Sequence, residues 1–322
     1  MATDAPHILV TGATGFFGLA LLRHWQALGA AAPRCTLLSR QPDVFLKRHP
    51  EFAHLRWHAG DVTRPETLPH GERFTHVLHA AADSTLGPQL TPLQRYDQIV
   101  DGTRHLLDFA VAGGATRFLL TSSGGVYGPL QDTASVREDC LQMPDPLQPG
   151  NAYSVAKRAA EHLCALYRQA HGLETVVARC FAFVGPDLPL DVHFAIGNFI
   201  RDALTAETIV VNGDGLPLRS YMHQQDLACW LTALLERGAA GEAYNVGSPE
   251  ALSVGELAHR VRDLLAPGKP VLVRAKGDPT APTRNRYVPD VDKALALGLT
   301  LHWSLDDAIR DTGAAARARG FS

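Results

Sequence analysis

Short apolar runs alternate with amphipathic stretches of helical length through the first half of the chain. HILV (7–10) reads as a strand, and FFGLALLRHWQAL (16–28) carries apolar residues at helical spacing. Further strands are predicted at 35–39 (CTLLS), 55–58 (LRWH), 76–82 (HVLHAAA), 117–122 (RFLLTS) and 175–183 (TVVARCFAF), with helices over 99–113 and 151–170. Strands separated by helix-length segments require a parallel sheet covered on both faces, and right-handed crossovers make it doubly wound. After Gly185-Pro186 the rhythm changes, with shorter segments and more Gly/Pro turns. Helices are predicted there at 198–206, 226–238 and 253–265, a strand at 208–211 and a turn at 212–215; Ser253 and Glu256 have capping-box spacing. The segment 131–151 reads as a long loop, a length often used for binding.

Composition narrows the class. The 322 residues are 46% hydrophobic and 20% charged with a formal net charge of −3, an ordinary globular balance with no attraction to nucleic acid or an anionic membrane. The five cysteines (35, 140, 164, 180 and 229) form no CxxC pair, which predicts free thiols in a reducing compartment rather than a disulfide framework. The first residues, MATDAPHILVTG, show no basic region leading into a long apolar run, so a cytoplasmic chain without a membrane span is expected. The histidines are scattered and give no HExxH, so no metal site is expected.

TGATGFFG (11–18) lies between the first strand and the first helix, the context a dinucleotide fingerprint needs. Gly12 permits the tight turn, Gly15 lets a pyrophosphate approach the backbone at the helix N-terminus, and Gly18 allows close helix packing. Thr14, Phe16 and Phe17 complete that candidate cradle. The expected fold is α/β: a Rossmann-type doubly wound parallel sheet over residues 1–185, with a smaller C-terminal α/β substrate-binding domain over 186–322, some of whose segments fold back onto the first. At the end of the second strand an acidic residue would hold the ribose of NAD, but Ser39 and Arg40 stand there. A hydroxyl and a guanidinium suit the 2′-phosphate of NADP, and Asp43 keeps NAD as the alternative. Asp61 and Val62 after the third strand, and Ala80, Ala81 and Ala82 after the fourth, are further candidate cofactor contacts. An aspartate before a turn serves equally as a cap.

Tyr153 and Lys157 are four apart on a helix and share a face. Ser123 ends a strand, at the carboxyl edge where such sheets bind ligands. A nearby ammonium favours phenolate, so the tyrosine serves as acid or base; the lysine also holds ribose hydroxyls, and the serine orients a carbonyl. With TGATGFFG, GDV (60–62), HAAA (79–82), DGT (101–103), SSGGVYG (122–128), YSVAK (153–157), ARCFAFVGP (178–186) and RSYMHQQD (219–226), the chain resembles the extended short-chain dehydrogenase/reductase family, in its branch of nucleotide-sugar epimerases, dehydratases and reductases. The resemblance implies Ser123, Tyr153 and Lys157 as catalytic residues, which also touch the cofactor or substrate. It further implies a C-terminal domain that grips a nucleoside-diphosphate-sugar, and a homodimer through a four-helix interface.

The chain departs from that pattern at informative positions. Gly124 and Gly125 stand where 4,6-dehydratases carry an acid pair, and Ile99 and Ala182 stand where many relatives have asparagine. Glycine has no side chain with which to move a proton, so dehydration by that route is disfavoured. Candidate substrate contacts are Ser123, Gly124, Gly125, His193, Asn198 at a helix start, Arg219 after the GDG turn and Arg284. His79 is expected to support loop structure. The leading expectation is an NADP-dependent reductase of a 4-keto-6-deoxy nucleotide sugar. An NAD-dependent nucleotide-sugar C4 epimerase is the alternative, and a non-catalytic dinucleotide-binding scaffold the reading from another class.

Overall fold

The structure, a computed structural model, describes residues 6–82, 89–130, 135–192, 194–276 and 285–321. The chain divides into two compact units. The first comprises residues 1–128, 143–180 and 228–244, and the second 129–142, 181–227 and 245–322.

Within the first unit the elements run β1 (His7–Thr11), α1 (Phe16–Leu28), β2 (Arg34–Ser39), α2 (Pro42–Arg48), β3 (Arg56–Ala59), β4 (His76–His79), α3 (Pro92–Ala112), β5 (Arg117–Ser123), α4 (Ala152–His171) and β6 (Glu174–Cys180). These six strands pair in parallel in the order β3-β2-β1-β4-β5-β6. Chain order reverses between β1 and β4, which creates the crevice at the carboxyl ends that this topology uses for ligands. The central strands are buried: Leu9, Val77, Phe118, Leu119 and Val176 are fully inaccessible. Such strands carry continuous apolar runs because both faces are covered. Arg117, at the start of β5, donates to the carbonyls of Leu235 and Gly238 and to Glu174 Oε2 at 2.7 Å.

The remaining elements are β7 (Phe183–Val184), α5 (Ala195–Thr205), β8 (Ile209–Val211), β9 (Leu218–Arg219), β10 (Met222–His223), α6 (Gln224–Arg237), β11 (Ala243–Val246), β12 (Leu252–Ser253), α7 (Val254–Leu265), β13 (Val271–Val273), β14 (Arg286–Tyr287), α8 (Asp292–Ala296) and α9 (Leu305–Ala318). β11 adds a seventh strand beside β6. In the second unit α5 packs on α7 and α9, and three small sheets form: β12-β9-β14, β10-β7 and β13-β8. The Ser253–Glu256 capping box at the start of α7 is present in both directions, at 3.1 and 2.7 Å. Among the described residues no helix is long and apolar enough to cross a membrane.

Several boundaries differ from the sequence expectation. α3 begins at Pro92, not 99, because Thr91 and Gln94 build a capping box around a polar first turn that shows no apolar periodicity. β4 stops at His79, where the Ala80 amide bonds the Thr11 carbonyl at 3.2 Å and the chain turns. The run 175–183 breaks after Cys180, and Phe183–Val184 pair with β10 in a different sheet. α2 and α9 were not anticipated; α9 is polar and alanine-rich, and its signal is the Ser304 cap on the Asp307 amide at 3.2 Å.

Candidate active site

The glycine turn has the geometry its sequence implies. Gly12 has φ 74°, the left-handed region, and a Cβ there would stand 2.5 Å from the Ala80 backbone. A Cβ on Gly18 would meet the backbone of Ala13 at 2.2 Å, so α1 rests directly on the turn that precedes it. At Gly15 the nearest neighbour of a Cβ is the Gly12 carbonyl at 3.5 Å. Thr14 and Gly15 are exposed and Phe16 and Phe17 half-buried, with their rings 6.1 Å apart. This is a backbone concavity open at a helix N-terminus, which fits a pyrophosphate.

At the end of β2, Ser39 is buried and its Oγ accepts from the Gln41 amide at 3.2 Å, while Arg40 is exposed. Asp43 lies in the first turn of α2. Asp61 Oδ1 accepts from both the amide and the hydroxyl of Thr63, each at 2.9 Å, so this carboxylate shapes its own turn. Val62 packs on α3 where Gly102 has no side chain: a Cβ there would be 2.9 Å from Val62 Cγ2. Ala80, Ala81 and Ala82 are half-buried, and the Ala81 amide donates to Thr11 Oγ1 at 3.3 Å.

Ser123, Tyr153 and Lys157 come together at the end of β5 and the start of α4. The Ser123 hydroxyl hydrogen-bonds the Tyr153 phenol and also accepts from the Gly125 amide at 3.1 Å. Burial pushes the Tyr153 phenol up to about 12, against the Ser123 bond and the charge of Arg95, which pull it down. Burial brings the Lys157 ammonium down to about 8, against the opposing influence of Cys180, Glu161 and Cys164. Lys157 Nζ donates to the Thr121 carbonyl at 2.8 Å and lies 6.0 Å from the Tyr153 ring centroid.

Two buried networks brace this edge. His79 bridges Thr11 Oγ1 at 2.8 Å and Thr103 Oγ1 at 3.2 Å, and the Thr103 hydroxyl donates to the Ile99 carbonyl at 2.7 Å. That order makes Nε2 the donor and Nδ1 the acceptor. Burial, with Lys157 adding to it, lowers His79 to about 3, so it is a neutral structural link. The second network escaped the sequence reading. Glu161 accepts from Ser122 Oγ at 2.6 Å and from Arg179 Nη2 at 2.8 Å and Nε at 3.1 Å; Arg179 Nη1 donates to the Tyr127 hydroxyl at 2.9 Å. Burial works against the Arg179 charge, but the bonds and charge of Glu161 outweigh it and hold the guanidinium above its ordinary value. Glu161 follows Lys157 by one helical turn, the only sequence signal for it.

Gly124 and Gly125 open a 3₁₀ turn, and a Cβ on Gly125 would stand 2.6 Å from Ser154 Oγ. In the second unit Arg219 donates to the carbonyls of Leu218 and Asn285, both at 2.8 Å, and lies 5.9 Å from the Tyr287 ring centroid. Asn198 is corrected: it sits inside α5, not at its start. Its amide bonds the Phe194 carbonyl at 3.0 Å and is taken, and its Oδ1 accepts from Arg201 at 3.2 Å. His193 and Arg284 lie outside the described residues. Among the described residues no group of three or more His, Cys, Asp or Glu side chains is arranged to hold a metal ion.

Comparison with known proteins places the chain's fold among known relatives. The chain is 30% identical over 315 residues to the low-salt glycan biosynthesis protein Agl12 of Haloferax volcanii, covering 94% of this chain and 96% of that protein. The dTDP-glucose 4,6-dehydratase DesIV of Streptomyces venezuelae, solved with NAD and TYD bound, superposes with a TM-score of 0.81 at 26% identity, covering 97% of each chain. RMD of Pseudomonas aeruginosa, solved with NADPH, superposes with a TM-score of 0.78 at 26% identity, covering 98% of this chain and 100% of that one. The sequence profile of the NAD dependent epimerase/dehydratase family matches residues 8–247, through the glycine turn, the serine, the tyrosine and the lysine. The chain belongs to that family of enzymes.

Proposed function

We propose that the protein is an NADP-dependent reductase that delivers hydride to C4 of a 4-keto-6-deoxy nucleotide sugar. The observation that carries this reading is the glycine pair beside Ser123, together with Arg40 exposed at the end of β2. Burial keeps Tyr153 protonated to about 12, the state a proton donor needs. Elimination of water needs acid and base groups beside Ser123, and Gly124 and Gly125 supply none. Of the long loop's acidic residues, Glu138 accepts through Oε1 from the Asn245 amide at 2.8 Å, and Asp139 lies 3.5 Å from Arg137 Nε.

NADPH, held by Gly12, Gly15 and Gly18 with Ser39 and Arg40 at its 2′-phosphate, supplies the hydride when bound. Ser123 donates to the C4 carbonyl oxygen and fixes its direction. Tyr153 gives its proton to that oxygen as negative charge develops, and the tyrosinate is reprotonated from solvent. Lys157, fixed by the Thr121 carbonyl, holds ribose hydroxyls with its remaining N–H groups. Arg219 contributes a guanidinium for the substrate diphosphate. The family likeness extends to nucleotide-sugar enzymes, which supports the substrate class.

Two results are expected. Arg40→Ala weakens NADPH binding by about 1.5–3 kcal/mol, the worth of a charge-assisted contact, and leaves NADH binding nearly unchanged. Calorimetric titration of both cofactors checks this; a wild type that prefers NADH contradicts the assignment. The intact protein with NAD and dTDP-, UDP-, GDP- or CDP-hexoses forms no product lighter by one water. Mass spectrometry of the reaction mixtures checks that, and such a product means dehydration. Tightly held NAD in freshly purified protein supports the C4 epimerase instead.

A further inference from the structure

His7 opens β1 at the amino edge of the sheet, the edge opposite the glycine turn. Its side chain and that of Thr36 on β2 are buried. The His7 ring has a partner at each nitrogen: Nδ1 lies 3.1 Å from the Arg73 carbonyl, and Nε2 lies 3.0 Å from Thr36 Oγ1. Thr36 Oγ1 in turn lies 3.1 Å from Glu72 Oε2, while Arg56 Nη2 and Nε hold Glu72 Oε1 at 2.7 and 3.0 Å. A carbonyl cannot donate, so Nδ1 carries a hydrogen. A carboxylate cannot donate either, so the bond to Glu72 uses the single hydrogen of the Thr36 hydroxyl. With His7 neutral, Nε2 is an acceptor and claims that same hydrogen. One hydrogen cannot serve both, and the acceptor left over is poorly solvated, which is costly. A proton on Nε2 removes the conflict: Nε2–H donates to Thr36 Oγ1, and the Thr36 hydroxyl donates to Glu72.

We propose that His7, Thr36 and Glu72 form a proton-operated switch at the amino edge of the sheet, joining β1, β2 and the segment before β4. When Nε2 takes a proton from solvent, the Thr36 hydroxyl turns from His7 to Glu72; when the proton returns to solvent, the hydroxyl turns back. The charged groups that face the ring come from each neighbouring element: Arg34 at the start of β2, Arg56 of β3, and Glu72 itself, with Oε2 3.9 Å from Nε2. His76 of β4 stands across Thr75, whose Oγ1 accepts from the His7 amide at 2.9 Å and lies 2.8 Å from His76 Nδ1. Burial, the strongest influence, and Arg34 hold His7 below the usual histidine value, against the Arg73 carbonyl and Glu72, which raise it. The unfolded chain therefore binds this proton at higher pH than the folded chain does. The contribution of His7 to stability is complete above about pH 6.5 and declines as pH falls toward the folded midpoint.

Ring NMR of the intact protein follows the His7 titration, its signal identified by its loss in His7→Gln. The His7 midpoint should lie below about 6.5. In Thr36→Val the charged ring loses its acceptor and the relay to Glu72, so the midpoint should fall by about one pH unit, a tenfold weaker hold on the proton; Thr36→Ser keeps the hydroxyl and should restore it. Glu72→Gln should lower the midpoint as well. If Thr36→Val fails to fold, Thr36→Ala carries the same measurement. Denaturant midpoints of wild type should decline on acidification below about pH 6.5, and His7→Gln should lack that part of the decline. A midpoint moved by Glu72→Gln but not by Thr36→Val or Thr36→Ala would mean a plain charge pair without the hydroxyl relay, and overturns the proposal. So does a His7 ring that does not titrate between about pH 4.5 and 8 in the folded protein.

Discussion

Tyr153→Phe lowers single-turnover NADPH oxidation by about 10²–10⁴-fold and leaves NADPH binding intact, the span expected for losing one positioned acid. Phenylalanine keeps the ring and nearly the same volume among Tyr96, Val100, Ala156 and Ala160, so folding is preserved. It has no proton to give, and it leaves the Ser123 hydroxyl without the phenol it bonds. Stopped-flow absorbance of NADPH with a 4-keto-6-deoxy nucleotide sugar separates the two effects, since affinity comes from the concentration dependence and chemistry from the plateau. A Tyr153→Phe enzyme that binds both ligands and runs at the wild-type rate would move the proton donor elsewhere. His193 would then be the first group to test.

Glu161→Gln destabilises the fold by about 3–5 kcal/mol, the cost of breaking a buried pair by neutralising one partner. The side chains of Arg179 and Glu161 are 12% and 11% exposed, so solvent does not rescue the remaining guanidinium. The glutamate joins α4 to β5 through Ser122 and to β6 through Arg179, and Arg179 in turn bonds Tyr127. Its loss therefore loosens the strand end that carries Ser123 as well as the fold. Denaturant unfolding, read as a shift in midpoint at constant slope, measures the cost. The double change Glu161→Leu with Arg179→Met should recover much of the stability, because an apolar pair leaves no buried charge. A single mutant within about 0.5 kcal/mol of wild type would show that the pair is solvent-relaxed, as exposed pairs are.

The sheet and its glycine turn were legible in sequence because strand, turn and helix follow one another directly. Each glycine's reason could be named in advance, although the partner that requires Gly18, the Ala13 backbone, became evident only in three dimensions. The Ser-Tyr-Lys set was legible for the same reason: Tyr153 and Lys157 are neighbours on one helix. What the sequence hid depends on long-range pairing or on local capping. His79 is held by Thr11 and Thr103, which are distant in sequence, and nothing near His79 announces them. Lys157 was expected to favour the phenolate; the fold sets its Nζ on the Thr121 carbonyl, 6.0 Å from the Tyr153 ring centroid, a long-range partner that helix spacing does not announce. Asn198 was placed at a helix start because the apolar pattern begins there; α5 starts at Ala195, and the Asn198 amide is spent inside the helix. Arg219, expected to meet the substrate diphosphate, lies 5.9 Å from the Tyr287 ring centroid, and burial lowers its pKa.

The most direct measurement uses NADPH carrying deuterium on the hydride-donating face, together with a panel of 4-keto-6-deoxy nucleotide sugars, followed by mass spectrometry and NMR of the products. A C4 reductase gives one deuterium at C4 of the 6-deoxy sugar for each NADPH oxidised, with new hydroxyl stereochemistry at that carbon. Failure to transfer deuterium to any 4-keto sugar, together with interconversion of C4 epimers of a hexose nucleotide without net oxidation of NADPH, would contradict the proposed reaction.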